Sequence, residues 1–183
     1  FMPLSYGGGV KTIDDIKDII QIGFEKVIIN SAAVTNPELI IEASQLFGSQ
    51  SIVGSIDIKE NIFRKKSVVI RSATQNTKLN PLDHAIRLQK QGCGELLITS
   101  VDHEGMMNGY DLDLINSIAS NVNVPIIASG GAGKHSDFYE AVEKSKASAV
   151  AAGSLFVYHS KTKGILINYP SQKELSKIFK NAI

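Results

Sequence analysis

The chain has 183 residues, of which 43% are hydrophobic and 20% are charged. This length and balance predict one globular domain with a buried core, and they exclude a disordered chain, a fibrous repeat and a miniprotein stapled by disulfides. Nineteen Lys and Arg oppose 18 Asp and Glu, so the net charge of +1 predicts no broad basic surface for nucleic acid or an anionic membrane. A local pocket for a small anion is compatible with this charge.

The cellular location is predicted from the cysteine count and the hydropathy pattern. Cys93 is the single cysteine, which excludes an internal disulfide and a cysteine-cluster metal site. No apolar run approaches the roughly 20 residues that span a bilayer, and the first ten residues lack the basic start of a signal peptide. A cytoplasmic protein without membrane contacts is therefore expected. The histidines lack the spacing of metal ligands, so no metal site is expected, and all four are predicted to lie on the surface or in loops: His84, His103, His135 and His159.

Short apolar segments alternate with amphipathic helical segments along the chain, which is typical of an α/β fold with a parallel sheet. Strands are predicted at residues 2–6, 26–30, 52–58, 95–100, 125–129 and 149–152. Helices are predicted at residues 13–22, 38–47, 81–91, 111–121, 136–144 and 172–180. The spacing between the third and fourth strands is longer than the others, and an inserted hairpin loop is predicted there, around residues 61–80.

An internal repeat relates two parts of the chain. A gapless shift of 123 residues, the distance from Gly7 to Gly130, matches Gly8 with Gly131, Lys11 with Lys134, Asp14 with Asp137, Val27 with Val150, Ser31 with Ser154 and Val34 with Val157. Each copy has the pattern strand, glycine turn, helix, strand, and the copies lie four βα units apart, so they would face each other in an eight-unit barrel. Such a barrel takes about 250 residues. The sequence therefore predicts a single (β/α)8 TIM barrel domain over residues 1–183, with about six of the eight βα units present and the first two missing before Phe1.

Two glycine-rich turns, at residues 7–9 and 130–133, follow predicted strands at the end of the barrel where functional sites lie. Backbone N–H groups there can approach an anion because no Cβ intervenes. The next strand of each copy ends in further N–H and hydroxyl donors, at Asn30 and Ser31 and at Gly153 and Ser154. One glycine turn alone usually reflects turn geometry. The duplication instead favours two opposed phosphate sites, and a substrate with a phosphate at each end.

The composition of the same turns argues against nucleotide hydrolysis and against a dinucleotide fold. The first glycine of a Walker loop would fall at Ala128 and its Ser or Thr at His135. Neither glycine cluster has the spacing of a dinucleotide fingerprint. No cofactor is therefore expected.

Asp57 lies near the carboxyl end of an otherwise apolar predicted strand, where an unpaired carboxylate is unfavourable. Two interpretations follow: a salt bridge with Lys59 at the barrel rim, or a general acid/base whose pKa is tuned by Lys59. The position favours the second interpretation. Thr99 places a hydroxyl at the end of the next predicted barrel strand, and Asp102 in the loop after it either bonds a substrate hydroxyl or caps the loop.

Lys26 and Glu95 lie at the opposite, amino-terminal ends of their predicted strands. The sequence pattern favours a charged ring that closes the barrel bottom. The alternative is a polar gate through which a small molecule passes.

Seven segments together resemble the cyclase subunit of imidazole glycerol phosphate synthase. They are Ser-Tyr-Gly-Gly-Gly-Val at 5–10, Lys-Val-Ile-Ile-Asn-Ser-Ala-Ala-Val at 26–34, Phe-Gly-Ser-Gln at 47–50, Ser-Ile-Asp-Ile-Lys at 55–59, Gly-Glu-Leu-Leu-Ile-Thr-Ser-Val-Asp at 94–102, Gly-Tyr-Asp at 109–111 and Ile-Ala-Ser-Gly-Gly-Ala-Gly at 127–133. The resemblance covers the chain from Phe1 to about Phe156. It implies a (β/α)8 barrel and a role in histidine biosynthesis.

In that family, ammonia from a partner glutaminase enters at the barrel bottom, and it reacts at the top with a bisphosphorylated ribulosyl-aminoimidazole-carboxamide nucleotide. The products are imidazole glycerol phosphate and an aminoimidazole carboxamide ribonucleotide. The resemblance implies that this chain is such a carbon–nitrogen lyase, the synthase subunit of a heterodimeric glutamine amidotransferase.

The resemblance also implies roles for particular residues. Asp57 matches the second of two catalytic aspartates, and the first belongs to a strand that is expected to be missing. One phosphate site matches Gly8, Gly9, Asn30 and Ser31, and the other matches Gly105, Gly131, Gly153 and Ser154. Lys26 and Glu95 match two members of the charged gate for ammonia, which favours the gate interpretation. Lys59, Thr99 and Asp102 complete the predicted substrate-binding set.

The sequence departs from the family pattern at three places. His103 and Glu104 replace the Arg and Asp of an Asp-Arg-Asp-Gly segment, and Lys78 replaces a glycine after Thr77. The tail at residues 164–170 is more similar to a paralogous branch encoded with surface-polysaccharide genes. Two alternatives therefore stay open: an ammonia-channelling subunit for amidation of a surface-polysaccharide sugar, and a non-catalytic scaffold for a glutaminase.

Overall fold

The computed structural model describes residues 2–159, 164–165, 167 and 169–180. Its strands are β1 (Ser5–Gly7), β2 (Lys26–Ile29), β3 (Ile52–Glu60), β4 (Lys66–Ile70), β5 (Gln75–Asn76), β6 (Glu95–Ser100), β7 (Ile126–Ser129), β8 (Ala149–Val150), β9 (Tyr158–His159) and β10 (Gly164–Ile165). Six of them pair in parallel in the order β1-β2-β3-β6-β7-β8. This order follows the chain without reversal, which distinguishes a (β/α)8 barrel from a doubly wound sheet. The predicted fold class, a barrel represented by six units, is confirmed.

Helices follow each of the six parallel strands. They are α1 (Ile13–Ile22), α2 (Ser31–Thr35), α3 (Glu38–Phe47), α4 (Pro81–Gln91), α5 (Leu112–Ala119), α6 (His135–Ser145), α7 (Ser154–Val157) and α8 (Gln172–Lys180). The predicted bounds of α1, α3, α4 and α8 agree with the structure, and α5 and α6 differ by one or two residues at each end. In the part of the chain that the structure describes, no helix has the length and apolar character needed to cross a membrane.

Local chemistry fixes where these helices begin and end. The Thr12 hydroxyl accepts from the Asp15 N–H at 3.2 Å, and the Asp15 carboxylate accepts from the Thr12 N–H at 2.9 Å, so α1 begins with a reciprocal cap. Helix α4 begins at Pro81 after the Asn80 cap. Gly92 then ends α4 with φ at 105°, a left-handed conformation that glycine adopts without strain.

The two faces of the parallel sheet differ. Leu96 and Ile98 of β6 are buried in the core with helix residues such as Ile16 and Leu88. The alternate residues of β6, which include Glu95, are only half-buried. Since side chains alternate along a strand, the second face of the sheet carries the polar residues of β2, β3 and β6.

A hairpin lies between β3 and α4. β3 continues to Glu60, and Asp57 to Glu60 pair antiparallel with β4, which in turn pairs with β5. The Asn61 carboxamide oxygen accepts from the N–H groups of Phe63 and Lys65 and closes the turn. The hairpin therefore extends the carboxyl end of β3, where the functional residues are predicted.

The prediction that all histidines lie on the surface or in loops is wrong for His84. This residue lies within α4 and is 2% exposed, and its Nδ1 is 2.9 Å from a guanidinium nitrogen of Arg87. Its Nε2 is buried and has no partner among the described residues. His84 is four residues before Leu88, on the apolar stripe of the helix. His103 lies in a loop, His135 is the first residue of α6, and the side chain of His159 lies outside the described part.

We expect His84 to make stability depend on pH. Burial, together with the charge of Arg87, lowers the pKa of His84 to about 4, while its pKa in the unfolded chain is near 6.5. Between these values the unfolded chain binds the extra proton, so stability falls as the pH falls. Urea unfolding should show that His84 lowers the free energy of unfolding by about 2 kcal/mol as the pH falls from 7 to 5. A His84→Gln variant should lose less over that interval, and an equal loss in both proteins would contradict the assignment.

Candidate active site

The first glycine turn and the end of β2 meet at the carboxyl end of the sheet. We call Gly7–Gly9 with Asn30 and Ser31 the first cradle. Gly8 and Gly9 have φ of 115° and 75°, and a Cβ at either position would meet no atom within 4 Å. These residues line a cavity of about 970 Å³. The backbone of the turn is therefore exposed to a space that can hold a ligand.

The second glycine turn forms a similar arrangement with the end of β8. We call Gly130–Gly133 with Gly153 and Ser154 the second cradle. All of these residues except Gly133 line one small cavity, and Gly105 from the β6–α5 loop lines it too. The four residues that the resemblance groups as the second phosphate site are thus adjacent in the structure. The Gly133 N–H already donates to the buried Asp137 carboxylate at 2.8 Å, so the donors left for a ligand are those of the other residues.

The β6–α5 loop is tied closely to the second cradle. The Gly109 N–H donates to the Gly131 carbonyl at 2.8 Å, and the His103 Nδ1 is 2.8 Å from the Gly109 carbonyl oxygen. A Cβ on Gly131 would lie 2.2 Å from that oxygen. Only glycine permits this approach, so the glycine at 131 is required by packing as well as by its φ of 110°.

Asp57 lies between polar neighbours on the half-buried face of the sheet. The register pairs it with Thr99 of β6, and Thr99 with Ser129 of β7. Asp57 lines the same cavity as the first cradle. Burial raises the pKa of Asp57, and hydrogen bonds from the Asn30 and Ser55 side chains oppose that shift without cancelling it. A carboxyl group with a raised pKa beside a cavity is a candidate for proton transfer.

The predicted influence of Lys59 on Asp57 is wrong. Lys59 is exposed, and it is not among the groups that shift the pKa of Asp57. Among the described residues it makes no salt bridge with Asp57 either. A nearby cation would lower a carboxyl pKa, whereas that of Asp57 is raised by burial.

Asp102 lies apart from the first cradle. Its carboxylate accepts from the Glu60 N–H at 2.7 Å, and the Val101 N–H donates to the Ile58 carbonyl at 2.9 Å. These contacts join the β6–α5 loop to the hairpin, and the substrate role of Asp102 stays a prediction. It lines a separate cavity of about 300 Å³, where Lys66 of the hairpin forms an ion pair with Asp111.

Lys26 and Glu95 form an ion pair at the amino-terminal end of the sheet. The Lys26 ammonium donates to the Glu95 carboxylate across β3, which separates their strands. Their side chains are 31% and 21% exposed. The contact fits a charged ring and a gate equally well, and the gate stays a prediction.

Sequence reasoning missed the contribution of the hairpin to the first cavity. Arg71 and Ser72, in the turn between β4 and β5, line this cavity together with Ser55. No motif marks these residues, because they belong to an insertion whose position over the sheet depends on tertiary pairing.

The fold and the two cradles define a (β/α)-barrel protein with paired glycine turns suited to phosphate. The profile of the family described as "Histidine biosynthesis protein" matches residues 1–163. The chain belongs to this family.

Curated relatives are similar over almost the whole chain. A Natranaerobius thermophilus protein named imidazole glycerol phosphate synthase subunit HisF is 46% identical over 173 residues, which are 94% of this chain and 68% of that protein. A HisF subunit of Clostridium botulinum is 42% identical over 96% of this chain and 70% of its own length. A Pseudomonas aeruginosa protein, provisionally named imidazole glycerol phosphate synthase subunit hisF2, is 45% identical over 96% of this chain and 70% of its own length. The resemblance to the cyclase subunit is confirmed, and these names favour it over the sugar-amidation alternative.

Proposed function

We propose that this protein is the cyclase of histidine biosynthesis. It uses ammonia to convert the bisphosphorylated ribulosyl-aminoimidazole-carboxamide nucleotide to imidazole glycerol phosphate and an aminoimidazole carboxamide ribonucleotide. One observation carries the proposal: the two cradles lie at the two ends of the strand order, and Asp57 lies on β3 between them. A substrate with a phosphate in each cradle would extend past the Asp57 carboxyl group.

Each part of this site has a separate chemical task. Backbone N–H groups and hydroxyls of the cradles hold the two phosphates and fix the position of the atoms between them. The reaction adds the nitrogen of ammonia and breaks a carbon–nitrogen bond, so protons must move to and from nitrogen. The raised pKa of Asp57 suits its carboxyl group to accept and return such a proton.

The experiment uses the complete gene product that contains this chain. The protein is given the bisphosphate substrate with saturating ammonium at mildly alkaline pH, and both products are separated and quantified. The proposal expects equimolar formation of the two products, and much slower formation of both in an Asp57→Asn variant that is folded by circular dichroism. A folded wild-type protein that forms neither product would overturn it.

We infer that the ammonia comes from a glutaminase subunit bound at the amino-terminal end of the strands, where Lys26 and Glu95 form their ion pair. The relatives that are named synthase subunits support such a partner. A cytoplasmic location is consistent with the single cysteine and stays a prediction.

The half-buried Lys26–Glu95 pair is expected to stabilise the fold. A charged hydrogen bond of this kind contributes about 1.5 to 3 kcal/mol. Lys26→Glu places a second carboxylate opposite Glu95, so it should lower the free energy of unfolding by at least that amount. The exchanged double variant, Lys26→Glu with Glu95→Lys, should recover most of the loss. Urea unfolding of the wild type, Lys26→Glu, Glu95→Lys and the double variant measures the coupling, and no recovery in the double variant would show that the pair does not interact.

A further inference from the structure

The turn between β4 and β5 places Arg71 beside the first cradle. Arg71 directly follows β4, and it lines the same cavity as Gly8, Gly9 and Asp57. Its backbone N–H donates to the Ser31 hydroxyl oxygen at 3.1 Å. The turn is therefore attached to a residue of the cradle itself.

This turn has an unusual backbone for its sequence. Arg71, Ser72 and Ala73 have φ of 55°, 54° and 62°, so three consecutive residues with side chains lie in the left-handed region. Each of them is strained relative to glycine. The conformation is held by the Thr74 hydroxyl and N–H, which both donate to the Arg71 carbonyl, and by the bond to Ser31. Strain that the surrounding contacts maintain is found preferentially at functional sites.

A phosphate bound in the first cavity would be stabilised by a nearby cation. A phosphate in the first cradle would lie in the same cavity as the Asp57 carboxyl group, and the glycine N–H groups, the Asn30 amide and the Ser31 hydroxyl are all neutral. Arg71 and Lys11 are the two basic residues that line this cavity in the described part of the chain. Among the described residues the Arg71 side chain takes part in no salt bridge. A guanidinium can bind two phosphate oxygens at once, which a lysine ammonium cannot do in the same geometry.

We propose that Arg71 binds the substrate phosphate held by the first cradle. The Ser31 oxygen accepts from the Arg71 N–H, which leaves the Ser31 hydroxyl proton to be donated to the same phosphate. The hairpin thus supplies a charged hydrogen-bond donor to a cradle whose own donors are neutral. This inference rests on the proposed function, because the phosphate belongs to the bisphosphate substrate.

The test compares Arg71→Asn and Arg71→Lys with Arg64→Asn as the matched control. Asparagine tolerates the left-handed backbone and removes the charge. Arg64 also has a positive φ, at 61°, is exposed like Arg71 and belongs to the same hairpin, but it lines a different cavity. The complete protein is titrated with the bisphosphate substrate by calorimetry without ammonia, so that no turnover occurs. KM and kcat are then measured with saturating ammonium.

Arg71→Asn is expected to weaken substrate binding and raise KM by about 10- to 100-fold, the usual effect of losing a charged hydrogen bond. Arg71→Lys should be intermediate, kcat should change much less than KM, and Arg64→Asn should bind like the wild type. Unchanged binding in Arg71→Asn, or an equal loss in Arg64→Asn, would overturn the inference. If the wild-type protein binds the substrate but forms no product, the proposed function fails, and the calorimetric comparison still decides the role of Arg71.

Discussion

Replacement of Asp57 by Asn is expected to lower kcat by about 100- to 10,000-fold, the range attributed to a general acid or base. Asn has the same shape and keeps hydrogen bonds to Asn30 and Ser55 possible, so the change removes proton transfer while it preserves packing. Steady-state rates at saturating ammonium and substrate measure the effect. A kcat within tenfold of the wild type would show that Asp57 does not carry the proton.

The same variant should change how activity and stability depend on pH. Burial raises the pKa of Asp57, so the acid limb of the wild-type rate profile should lie above the range of an ordinary aspartate. The residual activity of Asp57→Asn should lack this limb. The folded state also holds the Asp57 proton to a higher pH than the unfolded state, so its contribution to stability falls as the pH rises through that window. Asp57→Asn should therefore be at least as stable as the wild type at neutral pH, which thermal unfolding can check.

A second large effect is expected at Gly131, with Gly8 as its matched control. Both glycines have a left-handed backbone, with φ of 110° and 115°, and they are equivalent in the internal repeat. A Cβ on Gly131 would lie 2.2 Å from the Gly109 carbonyl oxygen, whereas a Cβ on Gly8 would meet no atom within 4 Å. Gly8→Ala should therefore lower the free energy of unfolding by the backbone strain alone, about 1 to 3 kcal/mol. Gly131→Ala adds overpacking and should lower it by about 2 to 6 kcal/mol in total.

Urea unfolding of the two variants separates these contributions. Gly131→Ala should also raise KM, because the β6–α5 loop must move away from the second cradle to admit the methyl group. Equal losses of stability in the two variants would mean that the loop yields without resistance and that the close contact at Gly131 is not required.

The regular elements could be predicted because each leaves a local signal. The apolar stripes and the glycines after α1 and α4 predicted both ends of these helices to the exact residue. The order of the parallel strands followed from the strand–helix alternation together with the internal repeat, whose copies lie four βα units apart. The site glycines were also predictable, since a duplicated turn at equivalent positions is a stronger signal than either turn alone.

The remaining features depend on tertiary contacts that the sequence does not display. The gapless repeat matches Asp14 with Asp137, but the carboxylate that caps α1 belongs to Asp15, because the first turn is one residue longer before its helix begins. His84 has the polarity of a surface residue and lies on a buried stripe. The raised pKa of Asp57 comes from burial, which neighbouring charges in the sequence, such as Lys59, do not reveal.

The double attachment of the β6–α5 loop restricts how this segment can evolve. Gly105 lines the cavity of the second cradle, and the Gly109 N–H is bonded to the Gly131 carbonyl, so both ends of residues 106–108 lie beside the same glycine turn. Met106 is 65% exposed, and Asn108 is exposed too. The exposed side chains at 106 and 108 are free to change, but the length of the segment is not, since one added or deleted residue would pull either Gly105 or Gly109 away from the cradle. Homologous sequences should therefore vary in composition here far more than in residue number.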